Sequence, residues 1–138
     1  MRFVSIVTFA LVLGACASYQ SRNLYQDLGG EAGVKRLVDR LLQKYKSDDR
    51  INDLLENTNL DYFAERLNEY ICMRTGGGCE YRGLSMVEAH SGMAIKEREF
   101  NYFVEDSQAA MTELGIAQGV QNRLLEVLAR DQTEIVNQ

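Results

Sequence analysis

The sequence predicts a single all-α domain. None of the 138 residues is a proline, no segment alternates for long between apolar and polar residues, and apolar residues recur instead at helical spacing. With 46% hydrophobic and 25% charged residues, the composition is that of one ordinary globular domain. A chain of this length buries one core, with room for a cofactor, rather than two domains.

Four segments have an apolar stripe on one side and charged residues on the other: residues 31–45, 60–73, 96–114 and 117–136. Each is predicted to be a helix, and Thr58 or Asn59 is placed to cap the second one. Because a helix with one apolar stripe must bury it against another element, we expect all four to pack on a shared core.

Between the second and third predicted helices lies a long irregular stretch, residues 74–95. Gly76, Gly77 and Gly78 do not propagate a helix, and only residues 85–90 have a short helical pattern. A segment of this length without regular structure usually serves a function. The only histidine of the chain, His90, lies within it.

The N-terminus has the pattern of a bacterial export signal. Arg2 precedes an apolar run, residues 3–13, which is too short to span a bilayer. The next residues, Leu-Gly-Ala-Cys ending at Cys16, resemble a lipobox, in which the cysteine is acylated. The alternatives are a plain secretory signal cut near Ala15 or Ala17, or a buried cysteine.

We therefore expect a signal peptide at residues 1–15, an acylated Cys16, a tether at residues 16–23 and one domain at residues 24–138. Acyl chains would hold that domain at a membrane surface. The expected location is the bacterial cell envelope, facing the periplasm. Since Ala17 stands where an aspartate is associated with inner-membrane retention, the outer membrane is favoured.

Cysteines and charge limit the remaining possibilities. If Cys16 is acylated, Cys72 and Cys79 remain as a pair, either joined in a disulfide or as two free thiols. One histidine and two cysteines fall short of a zinc site. The net charge of −5 argues against nucleic acid as a partner, because phosphate binding needs a basic face.

His90 is the residue most suited to metal chemistry. Neutral imidazole is the commonest ligand of transition metals, including haem iron. A lone histidine is nevertheless more often an ordinary structural or surface residue. No hydrolase nucleophile motif and no phosphate-binding glycine fingerprint is present, since the three glycines follow a helix rather than a strand.

Several motifs together carry a family resemblance. They are Leu-Tyr-Gln-Asp-Leu-Gly-Gly-Glu at 24–31, Thr-Gly-Gly-Gly at 75–78, Tyr-Arg-Gly at 81–83 and Ala-His-Ser-Gly-Met at 89–93. From residue 24 to the C-terminus the chain resembles the group I truncated haemoglobins without gaps. These are small globins with a two-over-two helical sandwich and a long loop that carries the proximal histidine. The spacing of the two cysteines also resembles exported members of that family.

The resemblance implies a haem b cofactor with His90 as the proximal ligand of a five-coordinate iron. It places Leu42, Phe63, Leu67 and Ile71 on the distal side, and Leu55 where globins nearly always have a phenylalanine. It also implies contacts on the proximal side or at the haem edge by Met86, Ile95, Phe100 and Phe103. Leu128 would form the floor of the site. Thr58, Arg66 and Tyr81 are candidates to contact a haem propionate.

Two departures from the family bear on function. Leu42 and Leu67 stand where members that bind dioxygen usually have a tyrosine and a glutamine, so the pocket is expected to hold dioxygen weakly. Carbon monoxide and nitric oxide depend less on a hydrogen-bond donor. The second departure, Leu55, weakens the expectation that haem is held firmly.

Three functions remain open from the sequence. The favoured one is reversible binding of a diatomic gas (dioxygen, nitric oxide or carbon monoxide) for carriage or sensing. The second is a redox enzyme, such as one that removes nitric oxide and is fed by a reductase. The third is a structural globin-like domain without haem.

Overall fold

The computed structural model describes residues 23–138, and within that range every regular element is helical. The predicted signal peptide, Cys16 and most of the tether lie outside the described residues. The seven α-helices, with one 3-10 helix at Asn52–Leu55, are α1 (Leu24–Asp27), α2 (Gly30–Ser47), α3 (Leu60–Arg74), α4 (Met86–His90), α5 (Glu97–Glu113), α6 (Gln118–Ala129) and α7 (Gln132–Ile135). Between residues 23 and 138, none of them is long and apolar enough to cross a membrane.

Helices α2, α3 and α5 match the predicted segments within a few residues, and α4 is the short helix expected over residues 85–90. The side chain of Asn59 accepts a hydrogen bond from the backbone N–H of Tyr62 at 3.1 Å, so Asn59 rather than Thr58 caps α3. Ser85 and Glu88 form a reciprocal capping box at the start of α4. Helix α1 and the 3-10 helix were not predicted.

The prediction of one continuous helix over residues 117–136 is wrong. Helix α6 ends at Ala129 and α7 begins at Gln132. Between them, Asp131 is only 6% exposed, and its carboxylate accepts hydrogen bonds from two side chains of α3. A buried carboxylate needs such partners. The break in the helix turns this carboxylate towards them.

The helices form a two-over-two sandwich, in which α2 pairs with α3, and α5 pairs with α6. Helix α2 packs against both α3 and α5, and α4 packs against α7. The centre is fully buried, and its largest side chains are Leu37, Ile51, Ile71, Met111 and Leu124. Each comes from the apolar stripe of its helix or from the segment before the 3-10 helix, which is why the stripes alone predict the fold class.

The start of the described chain is fixed to the end of α3. Asn23 donates from Nδ2 to the carbonyl oxygen of Gly76 at 2.7 Å, and the Tyr25 N–H donates to the carbonyl oxygen of Thr75 at 3.0 Å. Gly77 lies so close to the Tyr25 ring that a Cβ there would come within 2.9 Å of it. The glycine run therefore lets α1 pack against the end of α3.

Candidate functional site

A cavity of about 360 Å³ lies between α3, α4, α5, α6 and the segment that joins α6 to α7, and α2 contributes to its wall. Its wall is mostly apolar and includes Leu55, Phe63, Leu67, Phe103 and Leu128. An apolar cavity of this size with a few polar groups at its wall is typical of a small-molecule or cofactor site. By contrast, the hollow formed by Lys96, Glu97, Arg98 and Asn101 is an open part of the surface.

His90 is the last residue of α4 and lines this cavity. Its Nδ1 lies 2.7 Å from the carbonyl oxygen of Met86, one turn earlier in the same helix. A carbonyl oxygen only accepts, so Nδ1 must carry the proton and donate. In the neutral tautomer that makes this bond the lone pair is on Nε2, which is the atom that then binds a metal.

Eleven of the thirteen residues predicted as cofactor contacts line the cavity: Leu55, Thr58, Phe63, Arg66, Leu67, Tyr81, Met86, Ile95, Phe100, Phe103 and Leu128. Their contact with a cofactor stays a prediction. The structure does not bring Leu42 and Ile71 to the cavity wall. Ile71 is fully buried in the core, and Leu42 packs against that same core. The apolar stripe of each helix is wider than the part of it that faces the cavity. Helical spacing alone therefore does not distinguish residues that face the cavity from residues that face the core.

Sequence reasoning missed a pair of hydroxyl groups on the cavity wall. Tyr45 of α2 and Ser107 of α5 both line the cavity, and their hydroxyl oxygens are 2.9 Å apart. Burial raises the pKa of Tyr45 to about 12. Both residues occur at positions that belong to the apolar stripe of their helix. The only sign of the pair in the sequence is therefore that each of these otherwise apolar stripes contains a side chain with a hydroxyl group.

A second missed group joins α3 to the turn between α6 and α7. The Tyr70 hydroxyl donates to Asp131 at 2.6 Å, and Arg74 donates to the other carboxylate oxygen at 2.7 Å and to the carbonyl oxygen of Val127 at 3.1 Å. Burial and the neighbouring carboxylate raise the pKa of Tyr70. The ring of Tyr81 packs edge-on against Tyr70, with centroids 5.1 Å apart. This cluster fixes one wall of the cavity.

Arg66 is the cationic side chain on the cavity wall. Its side chain is 12% exposed, and it forms ion pairs with Glu65 at 2.5 Å and Glu69 at 3.0 Å. Its Nε is buried without a hydrogen-bond partner among the described residues. Because an unpaired buried donor is unfavourable, this nitrogen is suited to an acceptor supplied by a ligand.

The sulfurs of Cys72 and Cys79 are joined in a disulfide, with Cα atoms 5.7 Å apart. It connects the last turn of α3 to the loop that leads through Tyr81 towards His90. A Cβ on Gly77, inside the closed loop, would collide with the sulfur of Cys72. The small residue is therefore needed where the loop passes over the disulfide.

The family model described as bacterial-like globin matches residues 23–137 of this chain. The chain belongs to this globin family. The globin is 30% identical over 105 residues to the group 1 truncated hemoglobin of Tetrahymena thermophila, covering 76% of this chain and 87% of that protein. It is 29% identical over 115 residues to the group 1 truncated hemoglobin of Tetrahymena pyriformis, covering 83% and 95%.

The fold of this globin is also that of a solved truncated hemoglobin. The crystal structure of truncated hemoglobin from Tetrahymena pyriformis in its Fe(III) form superposes with a TM-score of 0.82 and 28% sequence identity, over 85% of this chain and all of the other. The two-over-two arrangement expected from the sequence is confirmed.

Proposed function

We propose that this globin binds haem b in the cavity described above, with Nε2 of His90 as the axial ligand, and binds a diatomic gas reversibly at the iron. The observation that carries the proposal is a single imidazole on the wall of an otherwise mostly apolar cavity, with Nδ1 bonded to the carbonyl oxygen of Met86 so that Nε2 is left as the metal-binding atom. Such a cavity suits the flat apolar faces of a porphyrin. The hemoglobins to which the chain is similar support the same choice.

The ligand chemistry of the described residues favours a prosthetic group over a bare metal ion. In residues 23–138, no cluster of three or more histidine, cysteine or acidic side chains is arranged to hold a metal. A metal bound through His90 alone would lack the other ligands that it requires. A porphyrin brings four nitrogen ligands of its own, and its carboxylates are acceptors for Arg66, whose Nε has none.

When bound, haem supplies an iron with an open position that takes up a small neutral gas. The chain contains one histidine, so no second imidazole competes for that position. Phe63 and Leu67 of α3 keep this part of the cavity apolar, which excludes water. Carriage or sensing of a gas therefore fits this apolar part of the site better than redox turnover, which needs a polar group close to the reacting gas to stabilise developing charge.

The location is a separate part of the proposal. The apolar run at residues 3–13 and the lipobox-like segment ending at Cys16 support anchoring to the envelope membrane through acyl groups, facing the periplasm. Metabolic labelling with a radioactive fatty acid tests this point. Label on the parent protein and none on Cys16→Ala is the expected result, and an unlabelled parent protein would contradict it.

Haem uptake tests the central part of the proposal. The parent protein, expressed with hemin and purified, is expected to show a Soret band with one haem per chain, and His90→Ala is expected to lose it. Val87→Ala is the matched control, because Val87 is on α4, is 42% exposed and does not line the cavity. A colourless parent protein, or a band retained in His90→Ala, would refute the proposal.

A further inference from the structure

The donor and the acceptor in the hydrogen bond between Tyr45 and Ser107 can be assigned. The Ser107 hydroxyl donates to the carbonyl oxygen of Phe103 at 2.7 Å, in the preceding turn of α5. A serine has one hydroxyl proton, so the 2.9 Å contact with Tyr45 must be a bond in which Tyr45 donates and Ser107 accepts. The hydroxyl proton of Tyr45 is therefore used in a hydrogen bond to Ser107.

The Tyr45 ring has little freedom to change this bond. Tyr45 is 7% exposed, and its ring packs edge-on against that of Phe103, with centroids 4.8 Å apart and planes at 80°. Phe103 itself lines the cavity. The tyrosine thus lies at the wall of the site with its ring held in place, and Ser107 determines where its proton points.

Two further tyrosine hydroxyl groups on the cavity wall also donate to acceptors within the protein. Tyr81 donates to the carbonyl oxygen of Leu84 at 2.8 Å, and Tyr70 donates to Asp131 at 2.6 Å. Each has an acceptor within the protein, so neither proton is available to a ligand. The cavity contains tyrosines, but in these three the hydroxyl proton already has a protein acceptor.

We propose that Ser107 is a positioning residue that determines ligand selectivity, by holding the Tyr45 proton away from a gas bound in the cavity. This inference rests on the proposed function. Bound dioxygen carries partial negative charge and gains from a nearby donor, whereas carbon monoxide and nitric oxide gain little. With the Tyr45 proton engaged by Ser107, the site disfavours dioxygen relative to the other two gases.

Removing the acceptor tests the inference. In Ser107→Ala the Tyr45 hydroxyl loses its partner, and a buried donor without a partner seeks another acceptor, such as bound dioxygen. We expect Ser107→Ala to slow dioxygen dissociation by about tenfold or more while carbon monoxide dissociation changes much less. The C–O stretching frequency of the ferrous carbon monoxide complex is expected to fall, because a nearby donor weakens the C–O bond.

A double-mutant cycle assigns the effect to Tyr45. In a Tyr45→Phe background, Ser107→Ala is expected to change neither the dioxygen rate nor the stretching frequency by a comparable amount. An equal effect with and without the tyrosine hydroxyl would overturn the inference, because it would show a general change of the cavity. No effect in either background would also overturn it. So would a Tyr45→Phe single variant that loses dioxygen about tenfold faster, since Tyr45 would then already donate to the ligand.

Misfolding and failure of the proposed function are both distinguishable from these outcomes. The helical circular dichroism and the haem content of each variant are measured on the same samples. A parent protein without a Soret band refutes the proposed function. A parent protein that binds haem, with variants that behave alike, refutes only the role of Ser107.

Discussion

Asp131→Ala is expected to destabilise the fold more than any surface charge deletion of this globin. The carboxylate is 6% exposed and accepts from the Tyr70 hydroxyl at 2.6 Å and from Arg74 at 2.7 Å. Its removal leaves a buried hydroxyl without an acceptor and a guanidinium without its counter-ion. Breaking a buried pair usually costs about 3–5 kcal/mol. The Arg74 side chain is 26% exposed and retains its bond to Val127, so we expect a loss of about 2–4 kcal/mol.

Urea unfolding followed by helical circular dichroism measures this loss as a lower midpoint with an unchanged slope. Glu126→Ala is the matched control on the same segment. Glu126 pairs with Arg130 at 3.1 Å, but the two side chains are 72% and 65% exposed, so its loss is expected to change stability by less than about 0.5 kcal/mol. Equal midpoints for the two variants would refute the view that the buried cluster holds α3 to the turn between α6 and α7.

Three further predictions concern stability and use the same urea assay. The pKa of Tyr45 is higher in the folded state than in the unfolded chain, so its contribution to the free energy of unfolding is full below pH 10 and is lost between pH 10 and about 12. Tyr45→Phe should remove about 3 kcal/mol of this decline in stability at alkaline pH. A decline that is unchanged in the variant would contradict the prediction. Reduction of Cys72–Cys79 should lower the free energy of unfolding by about 2.5 kcal/mol, and identical curves with and without reductant would refute this. Gly33→Ala should destabilise the fold by about 1–3 kcal/mol, because the new Cβ would overlap the backbone carbonyl oxygen of Leu28. The control Gly119→Ala, in open space on α6, should be neutral or stabilising by up to about 1 kcal/mol. The reverse order of stability would contradict the packing of α1 on α2.

The long helices are predictable from hydrophobic periodicity because each has one apolar stripe. Such a stripe depends only on residues close together in the sequence. The break between α6 and α7 was not predictable in this way. It depends on Asp131 meeting Tyr70 and Arg74, which are distant in sequence, and nothing local at Asp131 marks the end of a helix. Tertiary contacts of this kind override a continuous helical pattern.

In the candidate site, too, features set by local sequence were predictable and features set by tertiary packing were not. His90 was predictable as the sole histidine in an irregular segment, and its free Nε2 follows from the local bond to Met86. The polar wall was not predictable, because Tyr45 and Ser107 each look like a stripe residue until α2 and α5 are packed together. Helical spacing also does not distinguish the cavity side of α3 from its core side, so it places Ile71 at the cavity although this residue is fully buried in the core.

The proposed bond between His90 and the haem iron is tested most directly by chemical rescue. His90→Gly removes the imidazole and leaves space for a free one. The account predicts that His90→Gly, exposed to hemin, lacks the ferrous spectrum of the parent protein and regains it when imidazole is added, with Val87→Ala unaffected throughout. A His90→Gly spectrum equal to that of the parent protein without imidazole would contradict the account.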